Sequence, residues 1–99
     1  MDFSNLFEKA KDFQNYMEVE QKKLKDKEFK GVSGGGAAVV VIDGLCNIKS
    51  VAIDKKFLSP ENQEIISDLI SAAFNSAKKE FEEFSSESMA SLFSKNFNL

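Results

Sequence analysis

The sequence predicts an α+β fold of two layers, in which an antiparallel three-stranded meander is flanked by two long helices in the order α-β-β-β-α. Apolar residues recur every seven positions near the start, and helical spacing of apolar residues returns after Pro60. Between these segments, short β-branched runs alternate with turn residues. The chain is predicted to form a single domain, residues 1–99, which buries only about two-thirds of its unfolded surface.

The first helix is predicted at about residues 3–28. Its heptad positions are apolar at Phe3, Leu6, Ala10, Phe13, Met17 and Leu24. Two later heptad positions hold Glu20 and Lys27, so the apolar stripe weakens toward the C-terminal end. We therefore expect an amphipathic helix whose first half packs on another surface and whose second half is mostly solvated.

Three strands are predicted at about residues 29–33, 37–42 and 45–54. Gly34-Gly35-Gly36 indicates a turn or bulge, because a phosphate-binding loop would continue as Gly-Lys-Ser/Thr into a helix. Asp43-Gly44 is typical of a tight hairpin turn. The third strand has two mixed faces, as suits an outer strand, with Lys49, Val51 and Ile53 on one side and Ile48, Ser50 and Ala52 on the other.

The central strand, residues 37–42, is apolar at every position and therefore needs cover on both of its faces. A chain of this length with two helices has little material to cover both. The sequence therefore predicts an obligate homodimer in which a second copy completes the core.

The second helix is predicted at about residues 60–84, starting at Ser59-Pro60-Glu61. Serine can cap free N–H groups, proline presets φ in the first turn, and an acid suits the positive end of the helix dipole. The serine-rich segment 85–88 is expected to interrupt the helix, leaving a short terminal helix or tail at residues 89–99.

The composition argues against an enzyme and against a metal protein. Histidine is absent, so the chain has no His-dependent nucleophile and no imidazole ligand for a metal. No pair of carboxylates is placed convincingly in a cleft, and the glutamates near residue 83 spread around a helix. We expect no catalytic residues, no cofactor and no small-molecule substrate.

The predicted location is the cytoplasm. The longest apolar run is much shorter than the ~20 residues needed to span a bilayer, and the first residues lack the basic start and apolar core of a signal peptide. The single cysteine, Cys46, cannot form an internal disulfide, and we expect it to be a buried thiol in a strand. No membrane partner is expected.

Three segments together resemble the YbaB/EbfC family of bacterial nucleoid-associated proteins. They are Gly44-Leu45-Cys46-Asn47, Val51-Ala52-Ile53-Asp54 and Asp68-Leu69-Ile70-Ser71-Ala72-Ala73-Phe74-Asn75-Ser76-Ala77. In this resemblance Ala72, Ala73 and Phe74 correspond to helix-to-sheet packing, and Asn47 to a hydrogen-bonding residue at a strand end. The similarity spans nearly the whole chain.

The resemblance implies a homodimer of the bacterial nucleoid that binds double-stranded DNA with little or modest sequence preference and influences chromosome organisation and gene expression. It also implies that helices project from a central sheet dimer in the manner of tweezers. The candidate DNA-binding residues are Lys9, Lys11, Lys78 and Lys79, which lie on helical segments away from the sheet. Because Lys78 and Lys79 can pair with Glu82 and Glu83, a solvated helix surface is the alternative interpretation of that pair.

The overall charge opposes DNA binding, because the chain carries a net charge of −3 and most phosphate affinity comes from cations. Five lysines crowd the end of the first helix, namely Lys22, Lys23, Lys25, Lys27 and Lys30. The pairs Glu18–Lys22 and Asp26–Lys30 favour a solvated, salt-bridged helix there. The alternative function is a dimeric protein-interaction adaptor that uses the acidic second helix and the tail, with Phe93 and Phe97, without direct DNA binding.

Overall fold

A computed structural model describes residues 3–97, apart from the side chains of residues 92, 93 and 95–97. The order of elements is α1 (Phe3–Asp26), β1 (Glu28–Ser33), β2 (Ala38–Asp43), β3 (Ile48–Ile53) and α2 (Gln63–Phe97), with 3₁₀ turns at Lys55–Phe57 and Pro60–Asn62. The three strands form an antiparallel sheet in the order β1-β2-β3. The predicted α+β fold class and the meander are confirmed.

Helix α2 lies directly on one face of β1 and β2, and small residues make this close approach feasible. A Cβ atom added at Gly31 of β1 would collide with the Ala73 carbonyl oxygen and lie 2.5 Å from the Ala77 nitrogen. Ala73 and Ala77 are themselves fully buried. The prediction that Ala73 packs against the sheet is confirmed, whereas Ala72 is exposed because it lies on another side of the helix.

The core of one subunit is small and is centred on β2. Ala38, Val40 and Ile42 are fully buried under α2. At one end, the Phe29 ring packs edge-on against Phe81, with centroids 5.7 Å apart, and lies 5.5 Å from the ring of Phe84.

The opposite face of the sheet, which we call the open face, has no second layer within residues 3–97. Val39 and Val41 of β2 are half-buried there. The outer strands contribute polar groups to this face, including Lys30, Ser50 and an ion pair of 3.1 Å between Glu28 and Lys49. Val32 of β1, which pairs with Val39, is 46% exposed on the same face. That a second copy covers this face stays a prediction.

A register shift in β3 changes which of its residues share a face. Ser50 pairs with Val41, but Ile48 pairs with Ile42, so Lys49 is an extra residue in the ladder. Ile48 consequently lies on the same side as Val51 and Ile53, facing the α2 layer. The predicted grouping of Ile48 with Ala52 was wrong for this reason. Ile48 is 55% exposed and Val51 44% exposed, since α2 covers mainly β1 and β2.

The turn between β2 and β3 spans residues 44–47 and is organised by a buried carboxylate. The side chain of Asp43 accepts hydrogen bonds from the backbone N–H groups of Leu45 (2.8 Å) and Asn47 (2.9 Å) and from the Asn47 amide (3.3 Å). The predicted role of Asn47 at a strand end is confirmed. Cys46 adopts a positive φ of 65° and is half-buried in this turn, so its predicted place in a strand was wrong.

Hydrogen bonding sets the ionisation of Asp43. Its pKa lies below the ordinary value of 3.8, chiefly because the backbone N–H of Asn47 donates to the carboxylate. Burial acts in the opposite direction, while the N–H of Leu45, the amide of Asn47 and the charge of Lys49 also lower the pKa.

The second helix is longer than predicted and starts later. It runs without a break from Gln63 to Phe97, so the serine-rich segment 85–88 continues the helix. Single serines cost a helix little, and Phe84 and Ser85 are partly buried. At the other end, Ser59 makes no side-chain cap, and Pro60 begins a 3₁₀ turn. Residues 98 and 99 of the predicted tail lie outside the described residues.

The subunit is elongated, with principal extents of 70 × 30 × 17 Å. Leu24 near the end of α1 and Phe84 of α2 line one groove, from which both helices extend beyond the sheet. The backbone N–H of Gly44 donates to the Leu24 carbonyl at 2.8 Å and ties α1 to the β2–β3 turn. Among residues 3–97, no helix is long and apolar enough to cross a membrane.

Candidate nucleic-acid interface

Lys9 and Lys11 lie on the part of α1 that projects beyond the sheet. Both side chains are exposed, and neither forms an ion pair with any described residue. With a rise of about 1.5 Å per residue, Lys9 lies about 22 Å along the helix from Leu24, where α1 meets α2. These two lysines are therefore free to meet an external anion.

Lys78 and Lys79 lie on α2 alongside the sheet, directly after Ala77. Because Ala77 faces Gly31 and each residue turns the helix by about 100°, Lys79 lies on the side away from the sheet and Lys78 on its flank. Both are exposed. Within the described part of the chain, neither forms an ion pair, so the alternative pairing with Glu82 and Glu83 is not formed.

The two lysine pairs do not come together within one subunit. Lys9 lies about 22 Å beyond the α1–α2 junction, whereas Lys78 lies six residues before Phe84, about 9 Å back along α2 toward the sheet. A joint cationic surface made from both pairs therefore requires a second copy of the chain.

The lysines at the end of α1 are less neutralised than the sequence predicts. Lys23 pairs with Glu20 at 3.2 Å, and the Lys27 ammonium lies 4.7 Å from the centre of the Phe84 ring. The predicted pairs Glu18–Lys22 and Asp26–Lys30 are not formed among the described side chains.

The sequence analysis grouped Lys30 with the lysines at the end of the first helix, but Lys30 is a residue of β1. Lys30 is exposed on the open face, where the Glu28–Lys49 ion pair also lies. The signal was the alternation of β1, in which Phe29 and Gly31 face α2 and Lys30 faces the other way.

The described side chains include no cluster suited to hold a metal ion. No group of three or more histidine, cysteine, aspartate or glutamate residues converges within this part of the chain. The acidic side chains of the middle of α2 are exposed and separate, namely Glu80, Glu82, Glu83 and Glu87. What the helix surfaces offer chemically is dispersed ammonium groups, on the projecting part of α1 and on α2 alongside the sheet, and such groups can contact phosphates.

These features define a two-layer α+β protein whose candidate DNA-binding lysines are carried by helices that flank a small sheet. Residues 1–96 match the model of the YbaB/EbfC DNA-binding family, and the chain belongs to this family. The resemblance found in the sequence is thereby confirmed. The family is described by DNA binding and not by a reaction.

Relatives and a solved structure agree with this assignment. A protein of Francisella tularensis subsp. novicida named nucleoid-associated protein is 41% identical over 87 residues, covering 88% of this chain and 77% of the relative. A nucleoid-associated protein of Rickettsia felis is 31% identical, covering 91% of this chain and 84% of the relative. The crystal structure of an uncharacterised Helicobacter pylori protein superposes with a TM-score of 0.73 at 27% identity, covering 94% of this chain and 98% of that chain.

Proposed function

We propose that this protein binds double-stranded DNA in the bacterial nucleoid as a homodimer. The observation that carries the proposal is the match of residues 1–96 to a DNA-binding family, together with relatives named nucleoid-associated proteins. The proposed location is the cytoplasm, in contact with the chromosome, where binding would influence chromosome organisation and gene expression.

The proposed contacts are made by lysine to phosphate. All thirteen basic residues are lysines, so the bidentate arginine contact that most often reads guanine is absent. Lysine acts as a point charge, which positions a protein on the DNA backbone and carries no direct sequence information. Little or modest sequence preference follows from this composition.

Lys9, Lys11, Lys78 and Lys79 are the proposed DNA-binding residues. Their support is exposure and the lack of an ion pair with any described residue. Because the whole chain carries a net charge of −3, affinity must come from local positive potential at these helices. The homodimer is part of the proposal, since one subunit holds the two lysine pairs apart.

A titration of DNA binding against salt tests the proposal. If the dimer neutralises about three to five phosphates, log K should fall against log salt with a slope of roughly −3 to −4.5. The double variant Lys78→Glu and Lys79→Glu should weaken binding to all sequences alike. The matched control, with the same change at Lys22 and Lys23, should have a smaller effect.

The results of this titration distinguish an error in the proposed contact surface from an error in the proposed function. Normal binding by the Lys78/Lys79 variant would reject this surface while leaving DNA binding in place. If the purified protein has no affinity for DNA at low salt, the adaptor function takes over. That second candidate is favoured by the glutamates of α2, which are exposed and form no ion pair with any described residue, and which would suit a basic protein partner.

A further inference from the structure

The turn after β2 meets the end of α1 through the backbone of Gly44. The Gly44 N–H donates a hydrogen bond of 2.8 Å to the Leu24 carbonyl oxygen. A Cβ atom added at Gly44 would collide with this oxygen and lie 2.9 Å from the Leu24 carbonyl carbon and 3.0 Å from its Cα. All three are backbone atoms of α1, so no rotamer change could relieve the collision. The contact therefore requires that Gly44 have no side chain.

Gly44 is fixed by the hydrogen bonds of its own turn. The buried carboxylate of Asp43 accepts from the N–H groups of Leu45 (2.8 Å) and Asn47 (2.9 Å), and the Cys46 N–H donates to the Asp43 carbonyl oxygen at 3.0 Å. Gly44 itself is buried and has no positive φ. The turn thus presents the Gly44 N–H in one direction, and glycine is needed for space and not for its backbone conformation.

Helix α1 has few other attachments to the described part of its subunit. None of its 24 residues is buried. The Leu24 side chain lines the groove with Phe84 and Met89 of α2, and the Lys27 ammonium, just after the helix, lies 4.7 Å from the centre of the Phe84 ring. Both contacts lie at the same end of α1 as the Leu24 carbonyl. The direction of the rest of the helix is therefore set at this end.

This end of α1 lies far from the lysines that it would orient. Lys9 and Lys11 precede Leu24 along the helix by about 22 Å and about 20 Å. A tilt of about 10° at Leu24 would move Lys9 by about 4 Å. That displacement exceeds the length of a charge-assisted hydrogen bond, about 2.7–2.9 Å. A small change at Leu24 is thus amplified at the proposed DNA contacts.

We infer that Gly44 is a positioning residue for DNA binding: through the Leu24 carbonyl it fixes the direction of α1, and this direction places Lys9 and Lys11 against phosphates. The inference rests on the proposed function and adds a residue that acts without touching DNA. A helix that is fixed before binding loses less conformational freedom on binding than one that must be ordered at that moment. Without the contact, α1 would keep its lysines but present them in many directions.

Hydrogen exchange followed by mass spectrometry tests the contact itself. Gly44→Ala should raise the exchange of the α1 amides, because an isolated helix of this length is only marginally stable in water, while β2 and α2 keep the protection of the parent. Gly35→Ala is the control and should leave α1 unchanged, since its Cβ would have no atom within 4 Å. Leu24→Ala keeps the glycine and removes the groove contact at the same end of α1, so it should reproduce the effect.

DNA binding provides a readout that a purely structural role would not change. Lys9→Ala combined with Lys11→Ala removes the α1 contacts and preserves the helix, because alanine is the best helix former. Each lost phosphate contact should reduce the salt slope by about 1. Gly44→Ala should weaken binding by no more than this lysine pair does. Added to the pair, it should change the affinity by less than about twofold, whereas independent changes this far apart multiply their effects.

The results separate the role of Gly44 from the proposed function. Unchanged exchange of α1 in Gly44→Ala, or loss of protection throughout the subunit, would overturn the positioning role. Full multiplication of the losses in the combined variant would also overturn it, because Gly44 would then affect DNA binding without the α1 lysines. A parent with no affinity for DNA would overturn the proposed function, while hydrogen exchange would still decide whether Gly44 fixes α1.

Discussion

Replacing Gly31 by alanine should push α2 slightly outward from the sheet and destabilise the fold. The new Cβ would collide with the Ala73 carbonyl oxygen and lie 2.5 Å from the Ala77 nitrogen. Both are backbone atoms of α2, so no rotamer change can make room. The helix must move by about an ångström, which loosens the contacts of Ala73 and Ala77 with β1 and opens space above Val40.

The expected change in the free energy of unfolding is the sum of two opposing effects. Overpacking a well-packed core costs about 1–3 kcal/mol, and at this position the cost should be near the upper limit because main-chain atoms must shift. Alanine in place of glycine in a strand recovers about 0.5–1 kcal/mol from backbone entropy. The net loss should be about 2 kcal/mol, which lowers the melting temperature by roughly 8–16 °C in a domain of this size.

The assay is thermal unfolding followed by circular dichroism, with parent and variants at one protein concentration because dimers melt in a concentration-dependent manner. Gly35→Ala is the control, since its Cβ would have no atom within 4 Å. That control carries only the strain of a positive φ, about 1–2 kcal/mol, and leaves the helix–sheet contact unchanged. A Gly31→Ala variant that melts at or above the parent temperature would refute the packing argument.

Two further changes examine the turn and the central strand. The folded-state pKa of Asp43 lies below its ordinary value, so ionised Asp43 stabilises the fold at pH values above the ordinary pKa. This stabilisation is lost as the pH falls through the folded-state pKa. Urea unfolding between about pH 5 and pH 2 should show the loss in the parent and a weaker one in Asp43→Asn. The same pH dependence in both proteins would contradict the role of the carboxylate. Val40→Glu should prevent folding, because Val40 is fully buried under α2 and a charge there has no partner. Val41→Glu, on the half-buried open face, should yield soluble protein. Equal expression of folded protein for both variants would contradict the assignment of Val40 and Val41 to opposite faces of the sheet.

The parts of the fold that could be predicted from the sequence are those set by local periodicity. The strand order and the first helix follow from alternation, glycine turns and the heptads of α1. The face of Ile48 could not be predicted, because it depends on the extra residue Lys49 in the ladder with β2. The role of Gly44 was also hidden: it has no positive φ, and its lack of a side chain matters because the Leu24 carbonyl approaches it from another element.

The candidate site shows the same division between local and tertiary information. Exposure of Lys78 and Lys79 follows from the pattern, since the apolar positions of α2 mark its buried side. Which acid each lysine pairs with does not follow, because several partners at three- and four-residue spacing have similar energies. Lys23 pairs with Glu20, while Lys22 and Glu18 stay apart.

The two proposed DNA contacts on α1 lie on different sides of the helix. Lys11 precedes Phe13 by two positions and therefore lies about 200° away from it around the helix. Lys9 precedes Phe13 by four positions and lies on nearly the same side as this exposed ring. In the proposed homodimer, a second copy that covers the Phe13 side would leave Lys11 exposed and would place Lys9 at the rim of the covered surface. Phosphate contacts on this helix should then depend more on Lys11 than on Lys9.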